Sequence, residues 1–439
     1  MHSGVALTRL HTDTIMRTSR PAANGLRINH VRVLFTGSGT NITYLTMLSP
    51  FIPAASTQAY LAQIPQEIQQ RAGDYTQGNH WLILFSALVG ILINVLVIRS
   101  RLLERVHTHW ERKRTRPWSG ALVVGATYYI VAWSLDLPWA VYAKWWREVR
   151  YGLNTQTAGA WLAESVIGAV FTGILLAVML MLLYALIRRA PRTWWLWSSA
   201  LTSTMIVFAI VIAPVTIEPM FNEYKPLASG RNHDLITALA SEAGIAPDRI
   251  VSYDGSKQSA NYTARVTGLF GTSRIAVSDA LLTQASQAEL RAVVGHEIGH
   301  HVLHHALLLA LAYSALLTLA FLVTHLLYAP LVRLLRADGL AGPADPAGVP
   351  ILSIIVTATF LVLTPVTNGL VRFVENQADV YSLGHAREPD GMAIALLRTA
   401  DYRAADPGAV EEWLFYDHPS IARRIERAME WKHQHRNGR

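Results

Sequence analysis

The chain has 439 residues, of which 51% are hydrophobic and only 15% are charged, and its mean hydropathy is +0.26. This balance is typical of an integral membrane protein and argues against a string of soluble domains. The sequence contains no cysteine, which excludes disulfides, thiolate metal ligands and cysteine nucleophiles. The net charge of +8 is concentrated beside apolar segments, which favours contact with membrane lipid and not with nucleic acid.

The first 56 residues predict no fold of their own. Five arginines precede a weakly apolar stretch over 33–55 that contains Gly, Ser, Thr and Asn. This pattern suits a signal-like segment, a poor membrane anchor or a disordered tail. We therefore treat 1–56 as a separate N-terminal segment.

Six strongly apolar segments follow, each long enough to cross about 30 Å of hydrocarbon as a helix. They cover residues 81–98, 120–142, 161–187, 195–217, 306–327 and 349–371. Tryptophans cluster at their ends, as in the aromatic belts of membrane proteins. We predict a predominantly α-helical, multi-pass membrane protein, with four spans in region 57–217 and two in region 305–371. We expect it in a bacterial inner membrane, and the charges of its loops leave the side of the polar regions open.

Two polar regions complete the chain. Region 218–304 predicts a soluble part with a helix at 231–243 and strands at 249–253 and Arg274–Ser278. A second helix starts at Gln287 and is expected to continue into the fifth span. Region 372–439 is predicted to be largely helical.

The most specific motif lies in that second helix, where His296-Glu297-Ile298-Gly299-His300 reads H-E-x-x-H. Residues four apart share one helix face, so His296 and His300 can bind one metal ion together. Glu297 is then placed to take a proton from a water molecule activated by zinc. The motif therefore predicts hydrolysis of a carbonyl compound such as a peptide.

A catalytic zinc normally has three protein ligands, so a third is needed. The best candidate is Glu375 in Glu375-Asn376-Gln377-Ala378-Asp379, at the foot of the sixth span. Asp379 lies four residues later on the same face. We expect it to accept a hydrogen bond from a ligand histidine and to fix its tautomer.

A third group of residues, Asp417-His418-Pro419-Ser420, is followed by Arg424. His418 and Arg424 both carry hydrogen-bond donors. We predict that they stabilise the negative charge that develops on the substrate oxygen in the transition state. A helix start at the His-Pro pair and a surface arginine are the simpler alternative.

In these motifs the chain resembles the type I CAAX prenyl endopeptidases, which are integral-membrane zinc enzymes, and their bacterial relatives. The resemblance covers about residues 81–430. Besides the three motifs above it includes Ile217-Glu218-Pro219-Met220-Phe221-Asn222 and the stretch from Arg274 to Leu282.

The resemblance implies a helical fold that encloses a chamber, with a small α+β, zincin-like catalytic subdomain. It implies one zinc ion per chain on His296, His300 and Glu375, with Glu297 as the general base and Asp379 supporting a ligand. It implies substrate contacts at Asn261 and along the strand residues Arg274, Ile275, Ala276 and Val277, where an extended peptide would add a strand. The implied substrate is a peptide or protein, lipidated or membrane-associated.

Two other functions are kept open. One is a membrane quality-control protease of the heat-shock type, which shares the zinc motifs but has fewer spans before the zinc helix. The other, from a different class, is a catalytically silent membrane scaffold. Every position that the chemistry needs is filled in this chain, which favours an enzyme.

Overall fold

The computed structural model describes residues 52–259, 261, 263–268 and 273–435. The predicted N-terminal segment lies outside these residues except at its end, where helix α1 begins. The helices that precede the sheet are α1 (Pro53–Leu61), α2 (Gln66–Ser100), α3 (Leu102–Glu111), α4 (Pro117–Ala140), α5 (Arg147–Arg150), α6 (Ala158–Arg189), α7 (Trp194–Thr216) and α8 (Glu218–Phe221). A π-helical stretch, Val141–Trp146, joins α4 to α5.

The later part of the described chain contains a sheet and nine more helices. The strands are β1 (Tyr224–Pro226), β2 (Ile250–Tyr253), β3 (Ala264–Thr267) and β4 (Arg274–Ser278). The helices are α9 (Arg231–Glu242), α10 (Asp279–Gln284), α11 (Gln287–Val302), α12 (His305–Leu334), α13 (Val349–Val362), α14 (Thr364–His385), α15 (Pro389–Arg398), α16 (Ala409–Phe415) and α17 (Ile421–His435). The two strands predicted from the sequence are β2 and β4, whereas β1 and β3 were missed.

Five helices in the described residues are long and apolar enough to cross a membrane. They are Gln66–Ser100, Pro117–Arg150, Ala158–Arg189, Trp194–Thr216 and His305–Leu334. Each contains one of the first five predicted segments, so these predictions are confirmed. Many of their large apolar side chains are exposed in the isolated protein, as expected of surfaces that face lipid.

The sixth predicted segment is not a straight helix. Its residues are divided between α13 and α14, and the two helices meet at an angle of 58°. Pro365 lies in the first turn of α14, where its missing N–H interrupts the helical hydrogen-bond ladder. The prediction of one uninterrupted helix over 349–371 is therefore wrong, although the bent pair can count as a sixth span, and the bend directs the rest of α14 toward α11.

The expected continuity between the second polar helix and the fifth span is also wrong. Helix α11 ends at Val302, and α12 begins only at His305. Between them His304 has a left-handed backbone with φ of 54°. Histidine is one of the few residues other than glycine that enter this region readily.

The sheet has the order β1-β2-β4-β3, with β2 parallel to β4 and the other two pairings antiparallel. Strand β4 therefore has a neighbour on each side, which explains why Ile275, Ala276 and Val277 are completely buried. The expectation that Arg274, Ile275, Ala276 and Val277 form a free edge for substrate is wrong. In the described residues the free edge next to β4 belongs to β3.

Helix α11 is the centre of the catalytic region because it packs on two sides. Val294 and Ile298 face the sheet and lie in a buried cluster with Ile275 and Val277. On the opposite side Ala292 packs in a second cluster with residues of α15 and α17. The start of α11 is fixed by a capping box in which Ser286 and Glu289 satisfy each other's backbone N–H groups.

Candidate metal centre

Three side chains from α11 and α14 converge on one point. The Nε2 atoms of His296 and His300 lie 3.2 Å apart. One oxygen of the Glu375 carboxylate faces each of them, Oε2 at 3.2 Å from His296 Nε2 and Oε1 at 3.3 Å from His300 Nε2. Ligands about 2.0–2.1 Å from a tetrahedral ion are roughly 3.3 Å from one another. The spacing of these atoms thus fits a small metal ion held between them.

The hydrogen bonds around this group fit a cation held between its donor atoms. Nδ1 of His296 lies 3.1 Å from Asp379 Oδ1, which can only accept a hydrogen bond when ionised. His296 therefore donates from Nδ1, so Nε2 is the nitrogen that a metal ion would bind after displacing any proton there. Oε2 of Glu375 is buried and accepts no hydrogen bond. Lone pairs that face one another in a buried place are costly unless a positive charge lies between them.

Asp379 is itself held in place by arginine. Its side chain is fully buried, and Arg424 donates to Oδ2 from Nε at 2.9 Å and to Oδ1 from Nη2 at 2.6 Å. Arg427 adds a third bond to Oδ2 at 3.2 Å. This geometry keeps the carboxylate ionised and oriented toward His296.

Two pKa shifts follow from this environment. In the metal-free protein, burial opposes a charge on His296, but the adjacent carboxylates of Asp379 and Glu375 outweigh it and raise the pKa of His296 to about 10. Burial raises the pKa of Glu297 above its ordinary value. A carboxylate with a raised pKa is a better proton acceptor near neutral pH than one exposed to water.

His418 lies on the other side of Glu375. Its Nε2 is 3.3 Å from Glu375 Oε1, and its Nδ1 is 2.8 Å from Asp417 Oδ1. The loop between α16 and α17 carries it, and about a quarter of the side chain is exposed. A donor is thus placed beside the candidate metal ligands without belonging to the group of three.

The structure therefore brings together His296, Glu297, His300, Glu375, Asp379, His418 and Arg424. Their roles in catalysis stay predictions. The guanidinium of Arg424 is engaged by Asp379, a contact that the sequence did not predict. Asn261 lies just before β3, and its backbone N–H donates to Ser259 Oγ at 3.2 Å. Arg274 pairs with Glu218 at 2.7 Å.

One residue at this centre was missed. His305 is buried, and its Nδ1 lies 2.9 Å from His300 Nδ1. On an uninterrupted helix, residues five apart lie on different faces, so the sequence pattern gave no reason to connect the two. The only signal was the run of histidines at 300, 301, 304 and 305.

Comparison with known proteins agrees with this site and fold. Residues 50–223 match the family described as the CAAX prenyl protease N-terminal region with five membrane helices, and residues 226–432 match peptidase family M48. A Bacillus subtilis protein, the uncharacterized metalloprotease YhfN, is 30% identical over 298 residues, which are 67% of this chain and 69% of that protein.

CAAX prenyl protease 1 of Saccharomyces cerevisiae is 31% identical over 165 residues, but these are only 37% of this chain and 36% of that protein. The crystal structure of S. mikatae Ste24p resembles the present fold with a TM-score of 0.68 and 21% identity. It covers 86% of this chain and 95% of that chain. The likeness of the two folds thus extends over the membrane and catalytic parts alike.

Proposed function

This chain belongs to the CAAX prenyl protease family of membrane metallopeptidases, peptidase family M48, and on that premise we propose that its metal is one zinc ion per chain. The protein is a multi-pass membrane metalloendopeptidase whose substrates are peptides or proteins. The spacing of the donor atoms of His296, His300 and Glu375 carries the zinc assignment. Two imidazoles and one carboxylate are a common ligand set of hydrolytic zinc, which keeps its fourth position open.

Bound zinc would supply Lewis-acid activation of a water molecule and of the scissile carbonyl. We assign to Glu297 the role of general base, which takes the proton of the attacking water and delivers it to the leaving amine. Its place beside the first ligand and its raised pKa support this role.

We assign to His418 the donor that stabilises the developing oxyanion, through Nε2. Asp417 accepts from Nδ1 and orients the ring. Arg424 is assigned a different role from that of His418. It positions Asp379, which in turn fixes the tautomer of His296.

We propose that the substrate binds as an extended strand along β3 and not along β4. Strand β3 packs against α11 through Ala264 and Val266, which brings its free edge alongside the metal helix. Ser278 N–H bonds to Thr263 O, and hydrogen-bonded pairs alternate along an antiparallel ladder. The backbone groups of Ala264 and Val266 therefore point away from β4, toward the free edge, where a peptide can pair with them.

The substrate class that fits the position of the site is a peptide attached to or emerging from a membrane. His305 is the first residue of a membrane span, and Glu375 lies in α14, the second helix of the bent pair α13–α14. We propose a lipidated or membrane-anchored substrate, as the names of the CAAX prenyl protease relatives suggest. In this proposal regions 57–217 and 305–371 form the membrane part, and regions 218–304 and 372–439 form the catalytic part.

The decisive experiment combines metal analysis with peptide cleavage. Purified wild-type protein should contain about one zinc per chain and should cleave a membrane-anchored peptide. Glu297→Gln should retain the zinc and lose cleavage, because a glutamine of the same shape cannot accept the proton. The exposed Glu430→Gln is the matched control and should behave as wild type. Cleavage by Glu297→Gln at the wild-type rate would remove Glu297 from the reaction, and a wild type without zinc would refute the metal assignment.

Strand pairing and lipid recognition need separate substrates. A series of peptides with a single backbone N-methyl group at successive residues should show loss of cleavage at alternate positions, because only every second N–H faces the enzyme. A flat response along the peptide would contradict pairing with β3. Matched peptides with and without a prenyl group then test the lipid. A prenyl group that leaves kcat/KM unchanged would show that the peptide alone is recognised.

A further inference from the structure

The buried residue His305 makes a contact that the roles above do not explain. Its side chain is 1% exposed, although it is the first residue of α12 and polar. One ring nitrogen, Nδ1, lies 2.9 Å from Nδ1 of the candidate ligand His300, and the other, Nε2, lies 2.9 Å from Gln377 Oε1. We propose that His305 is a positioning residue, which fixes the tautomer of His300 so that its Nε2 presents a lone pair to zinc.

The direction of these hydrogen bonds follows from the last acceptor in the series. The amide oxygen of Gln377 can only accept, so Nε2 of His305 carries the proton. Nδ1 of His305 then has a free lone pair and accepts from Nδ1–H of His300. His300 in turn has no proton on Nε2, the atom that faces His296 and Glu375. The side-chain oxygen of Gln377 thus determines, through His305, which ring nitrogen of His300 carries the proton.

Both candidate histidine ligands therefore donate from Nδ1 and direct Nε2 toward the metal, but different groups accept their hydrogen bonds. Asp379, a carboxylate, accepts from Nδ1 of His296. A neutral imidazole, His305, accepts from Nδ1 of His300. Groups that hold a metal-binding imidazole in this way typically contribute 10–100-fold to metal affinity.

The left-handed turn at His304 is what makes the contact possible. In a continuous helix, residues 300 and 305 would be rotated by about 140° from each other, at 100° per residue. The break after Val302 turns the chain so that the first residue of α12 faces back toward α11. His305 is thereby directed to the metal centre instead of to the lipid.

The positioning role of His305 rests on the proposed zinc site. It can be refuted even if the zinc site is correct. A structural alternative is that His305 only fills space at the junction of two helices. Leucine and asparagine are nearly the same shape, but only asparagine offers an acceptor oxygen near the position of Nδ1. If His305 only fills space, His305→Leu should bind zinc at least as tightly as His305→Asn. If His305 positions His300, His305→Asn should bind zinc more tightly than His305→Leu.

The test measures the zinc dissociation constant of the full-length protein in detergent by competition with a chelator. His305→Leu should bind zinc 10–100-fold more weakly than wild type, and His305→Asn should stay within about threefold. His301→Leu, on α11 next to His300, is the control for nonspecific loss of a histidine and should leave the affinity unchanged. Thermal unfolding of the zinc-free proteins checks that each variant is folded.

A second pair of variants keeps the inference testable if His305→Leu does not fold. Gln377 is exposed, so its replacement should not disturb packing. Gln377→Glu retains the acceptor oxygen and should bind zinc as tightly as wild type, whereas Gln377→Met should bind it several-fold more weakly because water replaces the oxygen only in part. Equal zinc affinity of the Leu and Asn variants, or of the Met and Glu variants, would overturn the role of His305. A wild-type protein that binds no zinc would instead refute the proposed function.

Discussion

Gly299 of α11 lies so close to α14 that a methyl group added to it would come within 3.2 Å of the Cα of Ala378. The same methyl would be 3.0 Å from the Cβ of Tyr381. One turn earlier, a methyl on Gly295 would be 2.9 Å from the Cβ of Ala386. Two glycines four residues apart thus let the two helices that carry the ligands approach each other closely.

Gly299→Ala should therefore weaken both the fold and the metal site. Its neighbours include backbone, which cannot move aside cheaply, so we expect a loss of stability of about 1–3 kcal/mol and weaker zinc binding as α14 is displaced. Thermal unfolding and chelator competition measure the two effects. Gly384→Ala, on α14, is the matched control because an added methyl there meets nothing within 4 Å. Unchanged zinc affinity in Gly299→Ala would show that the close approach does not position Glu375.

Removal of Arg424 should destabilise the protein more than removal of its neighbour in the sequence. Asp379 is completely buried, and Arg424→Met would leave its charge without the main partner, at a cost of about 3–5 kcal/mol. Zinc affinity should fall as well, because Asp379 orients His296. Arg423→Met removes a largely exposed arginine whose partner Glu412 is buried but still accepts from the backbone N–H of Ser420, so the cost should be smaller, about 1–3 kcal/mol. Similar stabilities of the two variants, measured by chemical denaturation, would contradict this difference.

His418→Ala should impair the reaction without releasing the metal. The loss of one donor to an oxyanion typically lowers kcat by about 10²–10³-fold. Steady-state cleavage and zinc content of the same preparation separate the two effects, and the exposed His109→Ala on α3 provides the control. If zinc is lost together with activity, His418 supports the metal site and not the transition state.

Zinc binding should strengthen as the pH rises through the neutral range. In the metal-free protein, hydrogen bonds raise the pKa of His296 to about 10 against the effect of burial, so below that pH zinc must displace a proton. Each unit of acidification should then weaken binding by up to about tenfold. Asp379→Asn removes the carboxylate that stabilises the imidazolium, so its slope near neutral pH should be flatter. A wild-type affinity that does not change between pH 6 and 9 would contradict the proton competition.

The sequence was informative where the chemistry is local and less so where it depends on neighbours in space. His296 and His300 share a helix face through their spacing alone, and Glu375 could be found from a short motif beside a span. The strand Arg274–Ser278 was recognisable, but nothing in a single strand says whether it has one neighbour or two, so β4 was taken for an edge. The contact of His305 with His300 depends on a left-handed residue that helical periodicity does not reveal.

The contact made by Arg424 could not be predicted from the sequence either. The guanidinium of Arg424 carries hydrogen-bond donors, so the sequence predicted that it contacts the substrate oxyanion. Its actual partner, Asp379, lies 45 residues earlier in the chain and is fully buried. The packing of α17 against α14 brings Arg424 to Asp379. Such packing is set by the whole fold and cannot be derived from a short motif.

The metal centre draws its parts from α11, α14 and α17, and the membrane span α12 and the helix α13 lie between the first and second of these. A newly made chain that has released α11 from the ribosome holds two imidazoles but no carboxylate. The carboxylate of Glu375 arrives only after α12 and the α13–α14 pair have been synthesised and inserted, and Arg424 arrives close to the end of translation. A chain that ends before α14 therefore cannot complete the group formed by His296, His300 and Glu375.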